Sequence, residues 1–97
     1  MKEGGGVRFV SSDALVDAPV VDGAGAPLGR LADVMLDVAD GRVAYALLAH
    51  GGVLGLGEQL FIVPWQSLRL DAVHDRFVLD VPREKLADTF AMEATDL

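Results

Sequence analysis

The feature that most constrains this sequence is an uninterrupted apolar run, Val43 to Ala49, that closely follows an Asp40-Gly41 pair. An Asp-Gly pair between two apolar runs is a strong short-range signal for a β-hairpin. A strand with one face in water should alternate apolar and polar residues, whereas this run is apolar throughout. The sequence therefore predicts a strand covered on both faces, by a barrel interior on one side and by a helix, a terminus or a second subunit on the other.

The segment before the Asp-Gly pair, 28–38, fits two kinds of secondary structure. A period of two places on one face the residues Ala32, Val34, Leu36 and Val38. Helical spacing also aligns a stripe, formed by Leu28, Leu31, Met35 and Val38. Periodicity alone does not separate these alternatives. The hairpin signal favours two paired antiparallel strands, at 31–38 and 42–50.

The rest of the chain has short apolar stretches separated by glycine and proline turns. Strands are expected at 60–63, where Pro64 ends the ladder, and at 77–79. A tight or 3₁₀ turn is expected from Trp65, and a helix start near Pro82, since proline suits a first helical turn. This pattern is typical of an all-β fold, a small β-barrel of five to six short antiparallel strands with a short C-terminal helix.

The length of 97 residues suits one domain, because two domains of half that size would each bury too little surface. The expected organisation is a flexible lead-in over residues 1–10, a barrel domain over 11–88 and a tail over 89–97. The expected core residues are Val34, Leu36, Val38, Tyr45, Leu47, Leu60, Ile62, Trp65, Leu68, Phe77 and Leu79. The sequence leaves open which face of the run 43–49 points inward.

Composition limits the chemistry and points to association. The chain has no cysteine, which excludes disulfide bonds and thiolate metal sites. The hydrophobic content of 52%, with 11 glycines in addition, is high for a domain with so little interior. Alanine accounts for part of this surplus, and a subunit interface is the other explanation, because large exposed apolar patches mark contact sites.

The charge distribution disfavours nucleic acid and anionic lipid as partners. The net charge is -7, and the eight Lys and Arg residues are scattered among 15 acidic residues, whereas phosphate binding needs clustered cations. The longest apolar run is far shorter than the roughly 20 residues of a membrane-spanning helix, so no integral membrane segment is expected. Residues 1–6 contain no apolar stretch of the kind found in secretory signals, and a cytoplasmic location is expected.

Several stretches resemble the PRC-barrel domain family, and the similarity extends from about Leu15 to Leu86. They are 27–34, Asp37, 41–46, the glycine-rich loop 51–58, the segment 61–65 with its Val-Pro-Trp, 77–81 and 85–86. The resemblance implies a small β-barrel like those of the photosynthetic reaction-centre H subunit's cytoplasmic part and of a ribosome-maturation factor's C-terminal domain. It also implies an assembly or interaction module that self-associates when it stands alone. The stretch 90–93 departs from the usual family ending, which leaves the path of the tail open.

No residue pattern indicates catalysis, a cofactor or a metal. Gly57 is followed by Glu58 and strand-like sequence, whereas a phosphate loop needs Gly-Lys-Ser/Thr and a helix. His50 and His74 lie far apart in the sequence and have no third ligand at a motif spacing. The serines occupy no nucleophile elbow, and pairs such as Asp33 and Asp37 are commonly solvated acids. We therefore expect no catalytic, cofactor-binding or metal-binding residues.

The leading hypothesis is a non-catalytic protein–protein interaction or assembly module that forms a homodimer and also binds a protein partner of unidentified kind. The candidate interface residues are Tyr45, Leu47, Val53, Leu54, Leu56 and Trp65. Trp65 either packs in the core or contacts a partner, since tryptophan is enriched in binding hot spots. The alternatives are a ribosome- or RNA-maturation accessory, which rests on fold analogy alone, and a small-molecule or metal-binding enzyme.

Overall fold

A computed structural model of the chain describes residues 10–51 and 57–92, and the structural statements below concern these residues. The helices are α1 (Ser12–Leu15) and α2 (Leu86–Thr89), with 3₁₀ turns at Trp65–Ser67 and Arg83–Lys85. The strands are β1 (Pro19–Val21), β2 (Pro27–Asp37), β3 (Arg42–His50), β4 (Gln59–Pro64), β5 (Leu68–Asp71), β6 (Arg76–Leu79) and β7 (Ala91–Met92).

The seven described strands form one curved sheet in the order β5-β6-β1-β2-β3-β4-β7. Neighbouring strands are antiparallel except β1 and β6, which run parallel with Val20 opposite Phe77. Strands β5 and β7 are the two edges, so in the described part the sheet is not closed by pairing between its ends. The all-β class with a short C-terminal helix is confirmed, and β7 lies within the segment 89–97 expected as a tail.

The predicted hairpin is the centre of the sheet. Strands β2 and β3 pair antiparallel, and β2 begins at Pro27, earlier than expected. The turn between them is held by Asp37, whose carboxylate accepts hydrogen bonds from the backbone N–H groups of Ala39 at 3.0 Å and Asp40 at 3.2 Å. Gly41 has a φ of +72°, the left-handed conformation that an Asp-Gly turn supplies.

Two β-bulges interrupt the alternation of the β2–β3 hairpin, one with its extra residue, Ala32, in β2 and one with its extra residue, Ala44, in β3. The register shifts between Leu31 and Asp33 and again between Met35 and Leu36. Leu31 opposite Leu48, and Val34 opposite Ala46, therefore point inward at a spacing of three. Of the helical stripe seen in the sequence, Leu28 and Leu31 are buried, whereas Val38 is exposed.

The core lies on the concave side of the sheet and is closed by α2 through Leu86, which is 1% exposed. The buried cluster consists of Val20, Leu28, Leu31, Ala46, Leu48, Phe61, Val63, Phe77, Leu79 and Leu86. Of the expected core residues, Leu47, Phe77 and Leu79 are buried. The half-buried ones are Val34, Tyr45, Leu60, Ile62, Trp65 and Leu68.

The expectation that Leu36 and Val38 are core residues is wrong, because their side chains are 60% and 89% exposed. Leu36 lies next to the last residue of β2 and Val38 lies in the turn beyond it, so both are at the hairpin end, where their side chains are in solvent. The prediction for β3 is confirmed, since successive residues 46–49 are all buried and thus both faces of the strand are covered. Ala46 and Leu48 belong to the core cluster, which settles the inward face left open by the sequence.

Candidate interaction surfaces

The first candidate surface is the side of β2, β3 and β4 that points away from the core. Residues directly opposite each other in a ladder share a face. Leu47 is opposite Ile62, and Tyr45 is opposite Met35. We call this surface the hairpin face, and its apolar members are Met35, Tyr45, Leu47, Ala49, Leu60 and Ile62.

Burial on the hairpin face falls from its centre to the hairpin end. Leu47 and Ala49 are only 7% and 2% exposed, and the surrounding apolar side chains are half-buried. The charged residues in register with the face are one acid, Asp33, and one base, Arg30. The face is therefore continuously apolar and carries charges of both signs.

The second candidate surface is a groove of about 560 Å³ between α1, β1, the first 3₁₀ turn and the β5–β6 hairpin, which we call the Trp65 groove. Its apolar lining consists of Val10, Ala14, Leu15, Val16, Ala18, Pro19, Trp65, Leu70 and Phe77. Val10, Val16 and Leu70 are 43%, 37% and 38% exposed. Several of the large apolar side chains that the described structure leaves in solvent thus converge on one groove.

Trp65 connects the groove to the core. Its ring contacts that of Phe77, with the centroids 5.6 Å apart and the planes inclined by 59°, a tilted arrangement that aromatic pairs favour. Trp65 is half-buried and packs against the core cluster, and it also lines the groove. The side chain of Trp65 therefore contributes both to core packing and to the solvent-facing surface of the groove.

Among the described residues, the charged side chains that line the groove are Asp17, Asp75 and Arg76. Asp17 accepts a hydrogen bond from Arg30 at 2.9 Å, and the same guanidinium, which lies outside the lining, binds Glu58 at 3.1 Å. Asp75 is exposed at the rim and has a φ of +58°. Arg76 also lines the groove.

Arg76 is held by Asp71, to which its Nε donates a hydrogen bond at 3.0 Å. The imidazole Nδ1 of His74 lies 2.9 Å from the same carboxylate oxygen. Desolvation acts to raise the pKa of the Asp71 carboxyl, but the hydrogen bonds from His74 and Arg76 outweigh it and lower that pKa below its ordinary value. Asp71 is consequently an anion at neutral pH that orients Arg76.

The predicted interface residues fall on different surfaces. Tyr45 and Leu47 lie on the hairpin face, whereas Trp65 lies in the groove. Val53, Leu54 and Leu56 lie outside the described residues. The sequence reasoning expected Leu36 in the core and assigned Leu70 to neither core nor surface, because a local pattern gives no sign of which strand ends and edges lie in solvent.

The two histidines have local partners. The Nδ1 atom of His50, at the end of β3, lies 2.6 Å from the carbonyl oxygen of Leu28, and its ring lies 6.2 Å from that of Phe61. His74 lies in the turn after β5 beside Asp71. Among residues 10–51 and 57–92, no three His, Cys, Asp or Glu side chains are grouped so that they could hold a metal ion. In those same ranges, no helix combines the length and apolarity needed to cross a bilayer.

One curved sheet around a single apolar core, closed by a short C-terminal helix, defines a small β-barrel-type domain. A family model for the PRC-barrel domain matches residues 8–86, and the chain belongs to that family. This match confirms the resemblance seen in the sequence. A comparison with curated proteins found no match.

Proposed function

We propose that this chain is a non-catalytic protein-interaction module that self-associates through the hairpin face. The observation that carries the proposal is the continuity of apolar side chains across three neighbouring strands, from Met35 on β2 through Tyr45 on β3 to Ile62 on β4, all of them half-buried. Contiguous apolar surface on a small domain marks a contact site, because leaving it in water is unfavourable. Membership of the PRC-barrel family is compatible with such a role.

A second copy of the chain is the partner that suits this face. A two-fold interface brings the same patch of both subunits together, so the patch must be complementary to itself. An apolar surface meets this condition without directional bonds. The face also carries Asp33 and Arg30 in register, so two copies related by a two-fold axis can place opposite charges together.

The test is the molar mass of the chain in solution, measured by light scattering after size-exclusion chromatography at concentrations from about 1 to 100 micromolar. We expect twice the monomer mass at the upper end and a shift towards the monomer on dilution. The monomer mass at every concentration contradicts self-association. Raising the salt concentration should leave the dimer largely intact, because apolar burial is not screened by salt.

A further inference from the structure

We propose that the Trp65 groove binds an extended segment of another protein in which bulky apolar side chains are flanked by lysine or arginine. This site is made of residues other than those of the hairpin face, so it does not depend on self-association. Its occupant follows from the shape of the groove, its apolar walls and the charge of its rim.

The walls select apolar side chains. The groove has the volume of an ordinary ligand pocket, about 560 Å³, which accommodates more than one side chain. Leu70 and Val16 are more than one-third exposed beside the aromatic pair of Trp65 and Phe77. A bulky apolar group placed there removes these surfaces from water and contacts a rigid ring, which is how binding hot spots are built.

The rim selects the sign of the partner's charge. Among the described residues, the charged groups that line the groove are the carboxylates of Asp17 and Asp75 and the guanidinium of Arg76. Arg76 is bonded to Asp71, a further carboxylate. Asp17 is paired with Arg30, which lies outside the lining and also binds Glu58. The surroundings of the groove are therefore negative.

The charge of the rim and of the whole chain argues for a different protein as the occupant. The net charge of -7 means that a second copy brought to this groove is repelled, whereas a basic segment is attracted and accelerated in its approach. The hairpin face, by contrast, has charges of both signs in register. The two surfaces thus suit different partners.

Trp65 is the only tryptophan of the chain, so its fluorescence reports on the groove directly. The probes are a panel of heptapeptides with leucine, isoleucine or phenylalanine at the three central positions and lysine or arginine at both ends. The matched panel has aspartate or glutamate at the ends. We expect a saturable blue shift of the emission with basic peptides, at least tenfold weaker binding of acidic ones, and weaker binding of the basic ones as salt is raised.

Variants of the full chain test the site against matched controls. Leu70→Ser removes part of the apolar wall of the groove, and we expect about tenfold weaker binding of the best basic peptide. Val73→Ser changes a side chain that is 87% exposed and does not line the groove, and we expect unchanged binding. Asp75→Asn should weaken binding a few-fold, since asparagine tolerates the positive φ and removes only the charge, whereas Asp88→Asn on α2 should not.

Several results overturn the proposal. They are no saturable response to any basic peptide, equal affinity for the acidic panel, and a Leu70→Ser variant that binds as tightly as the unchanged chain. If the emission of the free chain shifts on dilution in step with its mass, a second copy occupies the groove. If the Phe9→Ser substitution alone shifts the emission of the free chain to the red, the chain's own N-terminal segment occupies the groove. Either result also rejects a basic partner. Self-association is measured separately by light scattering, so the two proposals fail independently.

Discussion

The ring of Trp65 lies 5.6 Å from that of Phe77, with one side of the indole against the core and another lining a surface groove. Trp65→Ala therefore removes both core packing and an aromatic pair. We expect a loss of about 2 kcal/mol in the free energy of unfolding, less than the cost of truncating a fully buried tryptophan because the residue is half-exposed. Urea denaturation followed by far-ultraviolet circular dichroism measures it without relying on tryptophan emission.

Leu70→Ala is the control for this prediction, since Leu70 lines the same groove but its side chain is 38% exposed. We expect Leu70→Ala to lower the free energy of unfolding by less than about 1 kcal/mol. Equal losses from the two substitutions would mean that Trp65 contributes nothing to the core beyond its surface contacts.

Gly29 lies where the backbones of β2 and β3 approach each other closely. A Cβ atom at this position would collide with the carbonyl oxygen of Ala49 on β3, and the residue has a φ of +156°. Because the obstacle is backbone, no rotamer change relieves it. We expect Gly29→Ala to lower the free energy of unfolding by about 3 kcal/mol or more, combining overpacking with strain.

Gly41→Ala separates these two effects. Gly41 also has a positive φ, +72°, but nothing lies within 4 Å of an added Cβ. Only the conformational strain remains, and the expected loss is about 1 kcal/mol. Thermal unfolding of both variants provides the comparison, and a Gly41→Ala loss as large as that of Gly29→Ala would refute the collision.

The hairpin was predictable from the sequence because its signal is local. The Asp40-Gly41 turn and the apolar run 43–49 together specify two adjacent antiparallel strands, and the structure has them. The bulges were not predictable, because an extra residue in either strand depends on how β2 and β3 pair. Leu36 was wrongly expected in the core because period-two alternation does not show that the hairpin end lies in solvent.

The sites were less predictable than the strands. The groove is assembled from α1, β1, the Trp65 turn and β5–β6, and the parallel pairing of β1 with β6 joins segments that are distant in the chain. No local pattern specifies such a contact. Trp65 was recognised as a candidate from its residue type alone, whereas Leu70 acquires its exposure from lying on an edge strand.

Met35 provides the sharpest test of the hairpin face. Its half-buried side chain lies opposite Tyr45, so Met35→Glu places a charge at the hairpin end of the proposed interface. We expect the dimer dissociation constant to rise at least about tenfold in sedimentation equilibrium. Val73→Glu adds the same charge at a turn outside this face and should leave the constant unchanged. Dimers that tolerate Met35→Glu as well as Val73→Glu would place the interface elsewhere.

Asp71 predicts how stability responds to acid. Its pKa is lowered because the hydrogen bonds from His74 and Arg76 outweigh the effect of desolvation. A carboxyl whose pKa is lower in the folded chain contributes stability above its unfolded pKa, near 3.9, and loses it as the pH falls through the folded value. The unchanged chain should therefore lose stability between about pH 5 and pH 2, and Asp71→Asn should lose less over the same interval.

Urea midpoints at a series of pH values measure the difference in stability between the unchanged chain and Asp71→Asn. This difference should be largest near neutral pH and should shrink in acid. Asp88→Asn is the control, because Asp88 is exposed on α2. The stability of this variant should change with pH as steeply as that of the unchanged chain. A constant difference between Asp71→Asn and the unchanged chain across the acidic range would contradict the assignment, because an interaction that needs the Asp71 anion cannot survive its protonation.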